Sequence, residues 1–349
     1  MNKLTQIDGR YENRPNSEGL RYGIIEVTTK CQLLCPGCYM TRRGALNKGE
    51  MTLSQAVRVL DLCREYRGKD LETMDILGGE PLKWPYLQEY VEILLQRNIL
   101  PWIFTNMLDI TPKMAKWLFE RSVHVTGKLN INPENTALLP LQAEMIGRSE
   151  AVASRMIKAI SVFQKAGYKD PLFRVQNLVR KGNVAEVPEY YSWCLKNNIG
   201  TDLELMGSGE TVGEQYWQVA PTPQEIAEMI RQIQKVRADF GLNPAEVLMP
   251  HVFGSCPFFD KGLYFAVNDS IRSCSNSTVN LSNVKEVGCI KKAYESDLIC
   301  NRLRLTKDLV GEPCHSCDKW EKCRGGCRAT VEGLGDCFGG YPLCPVPYL

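Results

Sequence analysis

Cysteine is where this 349-residue chain departs from an ordinary composition, with 15 in all. Three of them crowd into one short stretch, Cys31-Gln32-Leu33-Leu34-Cys35-Pro36-Gly37-Cys38. Thiolates at that spacing on a loop can hold three corners of a [4Fe–4S] cube and leave the fourth iron without a protein ligand, where a substrate can bind. Zinc is the plainer alternative, but a structural zinc site takes four closed ligands, usually as two spaced pairs, and this stretch supplies three. A second set lies toward the other end: Cys314, Cys317, Cys323 and Cys327, then Cys337 and Cys344, preceded by Cys256 and Cys274.

What thiols can do depends on their compartment. Residues 1–8 contain no apolar run to serve as a signal-peptide core, and no stretch of about 18 apolar residues occurs anywhere. The chain therefore reads as cytoplasmic, with no membrane partner, and in a reducing compartment closely spaced cysteines are metal ligands or catalytic thiols rather than disulfides. Lys+Arg 42 against Asp+Glu 40 gives a net charge of +2, which argues against a whole-protein footprint for nucleic acid. At ~150 residues per domain the length suits one large domain or two.

From about residue 22 to 207, β-rich runs alternate with amphipathic helical ones. Tyr22–Thr28 reads as a strand, followed by helical spacing at Leu53, Ala56, Val57, Leu60 and Cys63 with Thr52 and Gln55 in capping-box positions. Met74–Leu77 is a second strand, ending in Gly78-Gly79, and a helix through Tyr86–Leu95 leads to a third, Trp102–Phe104. Thr111 caps a helix that starts at Pro112. Further strands are expected at Val123–Asn130, Phe173–Val179 and Asp202–Met206, with helices near Ala151–Ala166 and Val187–Leu195. Six such units imply a parallel sheet, open or curled into part of a barrel, with the site in the loops after the strands' C-terminal ends. After Met206 comes a helix at Thr222–Val236 with Pro223 first, then about a hundred residues with less regular structure and most of the cysteines. The expected division is an N-terminal extension over 1–21, an α/β core over 22–207, a helical bridge over 208–250 and a cysteine-rich part over 251–349.

The spacing Cys-x3-Cys-x2-Cys after the first strand resembles that of the radical S-adenosylmethionine (SAM) superfamily. Gly78-Gly79-Glu80-Pro81 after the second resembles that family's GGEP motif. The resemblance implies a partial (β/α)6 TIM-like barrel in which the methionyl groups of SAM chelate the unique iron held by Cys31, Cys35 and Cys38. It implies close backbone approach to the ligand at Gly78 and Gly79, and Glu80 as acceptor for the methionyl ammonium. Many family members have an aromatic before the third cysteine; here that position is Gly37 and Tyr39 follows, so Tyr39 is the aromatic candidate for adenine. Thr105-Asn106 looks like the family's polar pair near SAM. Gly127-Lys128-Leu129-Asn130 resembles the segment that contacts the SAM carboxylate or ribose, with Lys128 its charged member.

The late cysteines resemble the SPASM domain, a loop-rich extension of radical SAM enzymes that binds auxiliary [4Fe–4S] clusters; where its pattern has glycine five residues before the second upstream cysteine, this chain has Asp269. Carried over, Cys314, Cys317, Cys323 and a late cysteine hold an outer cluster, and Cys256, Cys274 and Cys327 an inner one. Cys344 fits the last ligand by its distance from Cys327, which leaves Cys337 as a fourth inner ligand or a bystander. Eight cysteines are the complement of two fully ligated clusters. Cys63, Cys194, Cys289 and Cys300 remain; core packing is the plainer reading. The sharper one is that Cys289 or Cys300 gives a hydrogen atom to a substrate radical. His124, His251 and His315 are scattered, Arg42 and Arg43 read as facing water, and Ser208-Gly209-Glu210 as a turn.

The implied activity is reductive cleavage of SAM to a 5′-deoxyadenosyl radical that abstracts a substrate hydrogen, fed by a reductase, flavodoxin or ferredoxin as electron donor. The implied substrate is a ribosomally made peptide or protein, modified oxidatively. Peptide maturases often carry a recognition domain ahead of the SAM motif, whereas 30 residues precede Cys31, so a separate recognition protein is a further expectation. The alternatives are a dehydrogenase or epimerase of a small molecule such as an aminocyclitol or sugar, and a non-catalytic iron–sulfur electron carrier.

Overall fold

The computed structural model describes residues 19–208, 214–247, 256, 258 and 261–349. Six strands, β1 (Tyr22–Thr28), β2 (Thr73–Gly78), β3 (Leu100–Thr105), β4 (His124–Lys128), β5 (Phe173–Val179) and β6 (Gly200–Leu205), lie side by side in chain order, each parallel to the next. Between them run α1 (Tyr39–Arg42), α2 (Leu53–Arg67), α3 (Leu87–Gln96), α4 (Pro112–Glu120), α5 (Leu139–Ile146), α6 (Glu150–Lys165) and α7 (Val187–Lys196). This α/β succession is the expected one, and the boundaries fall within a few residues of the sequence reading.

Side chains alternate across the strands, so each strand serves two environments. Ile76, Ile103, Val125, Val175 and Leu203 join Val59, Val91, Leu118, Phe163 and Tyr190 of the helices in one core. Burying each such aliphatic or aromatic side chain contributes about 1.5–3 kcal/mol. The intervening residues, Trp102 and Phe104, Thr126 and Lys128, Gln176 and Leu178, Asp202 and Glu204, face a common cavity on the other side, so the sheet curls around it. The caps are those expected. Thr52 accepts from Gln55 N while the Gln55 side chain accepts from Thr52 N at 2.8 Å, and Thr111 accepts from Met114 N at 3.1 Å ahead of Pro112. After α8 (Glu214–Val219), Thr222 and Glu225 form a second capping box that starts α9 (Pro223–Asp239), which packs on α7.

Two features lie outside the sequence reading. Helix α5 follows a Pro- and Asn-rich stretch, and its buried Gln142 accepts from Asn130 N at 2.9 Å just beyond β4. The tail is loop-rich from about residue 305, as expected, but it also extends the sheet. β7 (Gly262–Phe265) pairs parallel with β1, β8 (Ser270–Arg272) antiparallel with β7, and β9 (Ser282–Asn283) with β8, giving a sheet of nine strands among the described residues. Asp269, in the β7–β8 turn, has φ +65°. It adopts the left-handed conformation for which glycine is the usual residue and which aspartate tolerates better than most. The turn is therefore kept without glycine, and Lys285 pairs with Asp269 at 2.6 Å. Short helices α10 (Cys289–Tyr294), α11 (Asp297–Arg304), α12 (Trp320–Cys323) and α13 (Arg328–Gly333) complete the tail, α10 lying against α2. Among the described residues no helix is long and apolar enough to cross a membrane.

Candidate functional site

The loop after β1 carries Cys31, Cys35 and Cys38 and is tied down from several sides. Leu33, between the first two cysteines, is buried against Ala143 and Ile146 of α5 and Ala153 and Met156 of α6. Leu34 N donates to Ile146 O at 3.1 Å, Arg148 Nε to Gln32 O at 2.6 Å, and Cys31 N to Asn47 Oδ1 at 3.3 Å. The unpredicted helix α5 is thus a support of the cysteine loop.

Gly78 and Gly79 line the cavity, and their lack of side chains also meets a demand within the chain. Gly78 has φ +141°, and a Cβ there would strike the Thr28 carbonyl, as one at Gly79 would strike the carbonyl of Lys30. Gly79 N donates to Thr28 O at 2.7 Å and Glu80 N to Lys30 O at 2.8 Å. The glycines let the β2 turn clamp the start of the cysteine loop.

Glu80 is fully buried and is not among the residues that line the cavity. Its Oε1 accepts from Thr105 Oγ1 at 2.6 Å and Leu82 N at 3.0 Å, and its Oε2 from Asn106 N at 2.7 Å. Asn106 Nδ2 in turn reaches Cys31 Sγ at 3.8 Å. Glu80 therefore acts through Asn106 on the first cysteine. Burial pushes its carboxyl up to about 7 against these three donors. Pro81, also buried, opens the single 3-10 turn that Glu80 caps.

Around the cavity, of about 380 Å³ and within the range of small-molecule sites, stand Cys31, Cys35, Cys38, Tyr39, Thr105, Asn106 and Lys128. Burial pushes the Cys31 thiol up to about 11 and the Cys35 thiol up to about 12, and Cys38 adds to both. Burial lowers the Lys128 ammonium, opposed by Glu204, Cys35 and Cys38, and Lys128 lines the cavity from β4. Glu204, raised by burial, accepts from Gln176 Nε2 at 2.7 Å. Tyr39 lies edge-on to Tyr264, with ring centroids 6.3 Å apart. Arg43, expected to face water, instead stacks over the Tyr39 ring at 5.1 Å and donates from Nη2 to Ser275 O at 3.0 Å and Ser277 O at 2.8 Å. It joins the first cysteine loop to the segment that follows Cys274.

The tail cysteines divide into two groups. Cys256, Cys274 and Cys327 line the same cavity as the first three. Burial raises all three thiols, that of Cys327 to about 11, and Cys256 and Cys327 each feel Cys274. Off the cavity, burial raises Cys323 to about 11 and Cys344 to about 12, and both feel Cys314 and Cys317. Cys337 is exposed and belongs to neither set; its carbonyl accepts from Arg328 Nη2 at 2.8 Å. Cys289 is fully buried in the core with Cys63, and neither it nor Cys300 lines the cavity. Neither thiol, expected as a candidate hydrogen-atom donor, stands on the cavity wall. Cys194 packs in the core as expected. His124 is buried against Trp102, His315 is exposed with Nδ1 3.1 Å from Lys307 O, and His251 lies outside the described residues, as do Gly209 and Glu210.

Sequence reasoning missed Asp75, Gln176, Asp202, Glu204 and Arg302, all on the cavity wall. A signal existed for the first four: polar residues at alternate positions of otherwise apolar strands mark a polar lumen. Arg302 comes from a short helix without such a pattern. Among the described residues no three Cys, His, Asp or Glu side chains converge to hold a single metal ion.

The family model described as radical SAM superfamily matches residues 25–194. The PqqA peptide cyclase of Gluconobacter oxydans is 24% identical over 347 residues, covering 93% of this chain and 90% of that protein, and the one from Streptomyces rochei is 23% identical over 345 residues, covering 92% and 88%. Among solved structures, native anSMEcpe with bound AdoMet and the Cp18Cys peptide superposes with a TM-score of 0.71 at 16% identity, covering 94% of each chain. Streptococcus suis SuiB bound to precursor peptide SuiA gives 0.67 at 16% identity, covering 94% of this chain and 76% of that one. At these identities the structural likeness concerns the fold.

Proposed function

We propose that the chain is a radical SAM enzyme that oxidatively modifies a peptide or protein substrate, using SAM at Cys31, Cys35 and Cys38 with two auxiliary clusters in the tail. The observation that carries this reading is the shared cavity at the strands' C-terminal ends. It joins the thiols of the cysteine loop to those of Cys256, Cys274 and Cys327. Three thiols on one loop leave the fourth iron of a [4Fe–4S] cube open, whereas a structural zinc site takes four closed ligands. Raised, mutually repelling thiols are groups that bound iron would hold as thiolates.

When bound, the first cluster supplies the electron that splits SAM into methionine and the 5′-deoxyadenosyl radical. The residues' own work is placement. Asn106, fixed by Glu80, sets Cys31; Lys128 is the cation for the SAM carboxylate; Thr105 and Asn106 supply polar contacts; and Tyr39 is the aromatic surface for adenine. Trp102, Phe104 and Leu178 line the wall beside them and keep water from the target carbon. We assign Cys256, Cys274 and Cys327 to the inner auxiliary cluster, and Cys314, Cys317, Cys323 and Cys344 to the outer one. Cys337, exposed and apart, is left out of both.

The relatives that act on or were solved with peptides support a peptide substrate here. Closely spaced cysteines that read as cluster ligands support a reducing, cytoplasmic setting. The electron donor in this reading is a reductase, flavodoxin or ferredoxin. The test is anaerobic incubation of the reconstituted enzyme with SAM, reductant and a short peptide encoded beside its gene. The expected result is peptide-dependent 5′-deoxyadenosine and a product lighter by two hydrogens. Stimulation by an aminocyclitol or sugar, with the peptide inert, would overturn the peptide reading.

A further inference from the structure

Arg302 on α11 lines the cavity and is 4% exposed. Its Nε donates to Glu332 Oε1 at 2.7 Å and its Nη2 to Glu332 Oε2 at 2.5 Å, a bidentate fork that fixes the plane of the guanidinium. Glu332 stands on α13, whose N-cap is Cys327, so one short helix carries both a cavity cysteine and the clamp. Arg302 lines the cavity and Glu332 does not, so the guanidinium is the member of the pair on the wall shared with the thiols, with Glu332 behind it offsetting part of its effect at Cys274. Buried ion pairs contribute little net stability, because desolvation offsets their attraction. The field they set up is another matter, since charges act strongly where water is excluded.

We propose that Arg302, locked by Glu332, is the fixed cation that favours the reduced form of the inner cluster at Cys256, Cys274 and Cys327, making that cluster the better electron acceptor. The proposal rests on the cluster assignment made above. Cluster potentials follow net charge and exposure, and reduction adds one negative charge to a site already rich in thiolate. A substrate carbon radical that passes one electron to the cluster and releases one proton becomes a closed-shell oxidised product, and a nearby cation favours that transfer. Arg302 is a positioning residue in this scheme and touches no reacting atom.

The test is a redox titration of the reconstituted protein followed by electron paramagnetic resonance, with the inner-cluster signal identified as the one missing from Cys274→Ala. In Arg302→Gln, with iron content unchanged, the ratio of reduced to oxidised inner cluster at fixed poise should fall at least ~10-fold, which is about 59 mV for a one-electron couple. Arg302→Lys, which keeps the charge, should restore most of that ratio. Should the single neutral variant fail to fold, the paired change Arg302→Met with Glu332→Leu removes both charges together, and it too should titrate at a lower potential. Either neutral variant titrating with the wild type at full iron content overturns the role of Arg302. A wild-type protein with no signal for Cys274→Ala to remove overturns the cluster assignment instead.

Discussion

Glu80 shows how a motif residue can matter through contacts within the chain. Its carboxylate accepts from Thr105, Leu82 and Asn106, and Asn106 reaches Cys31. Glutamine at this position would present its amide group to at least one donor that cannot accept. Glu80→Gln should therefore cost about 1–3 kcal/mol in a urea titration of the apoprotein and lower the yield of 5′-deoxyadenosine. The folded carboxyl keeps its proton up to about pH 7, whereas the unfolded one loses it near 4.5. Its contribution is thus whole below about pH 4.5 and drains away as pH rises to about 7, by roughly 3 kcal/mol. The stability of Glu80→Gln should fall less steeply over that interval, and a wild-type slope in the variant would contradict the burial argument. The identity of Glu80, Gly78 and Gly79 was legible in the sequence. Their targets were not, because the Thr28–Lys30 backbone that they grip comes from a different strand end.

At the level of elements, most of the core was legible because periodicity and caps agreed. Thr52 with Gln55, Thr111 with Pro112, and Thr222 with Glu225 start helices where their side chains can satisfy free amides. Thr52→Ala should lower stability by about 1 kcal/mol with an unchanged denaturant slope and intact SAM cleavage, since α2 lies on the face opposite the cavity. Loss of cleavage at full stability would mean that α2 shapes the site. Helix α5 and strands β7 to β9 escaped notice for physical reasons: α5 follows prolines and asparagines that read as loop, and the late strands are two to four residues long. Too short to show a period, they are specified by partners far away in sequence.

Over the whole molecule, the tail is both a continuation of the sheet and one wall of the cavity. Arg43 ties the two ends of the chain by donating to Ser275 O and Ser277 O. Arg43→Met should take one donor from each of those carbonyls, Ser277 O keeping that from Arg272 Nη1, speed hydrogen exchange in the segment after β8, and release iron first from the inner cluster; unchanged exchange there would contradict the tie. The grouping of six cavity thiols into two sites was partly legible, since spacing marked the first three and resemblance the others. That both sets face one cavity could be known only from the fold.

The most direct test is SAM cleavage by a protein whose Cys31, Cys35 and Cys38 are all changed to Ala. Fully reconstituted wild type should hold roughly 12 irons and the triple variant about 8, with cleavage to 5′-deoxyadenosine abolished while the tail clusters remain. Continued production of 5′-deoxyadenosine by that variant would contradict the placement of SAM chemistry at the first cysteine loop.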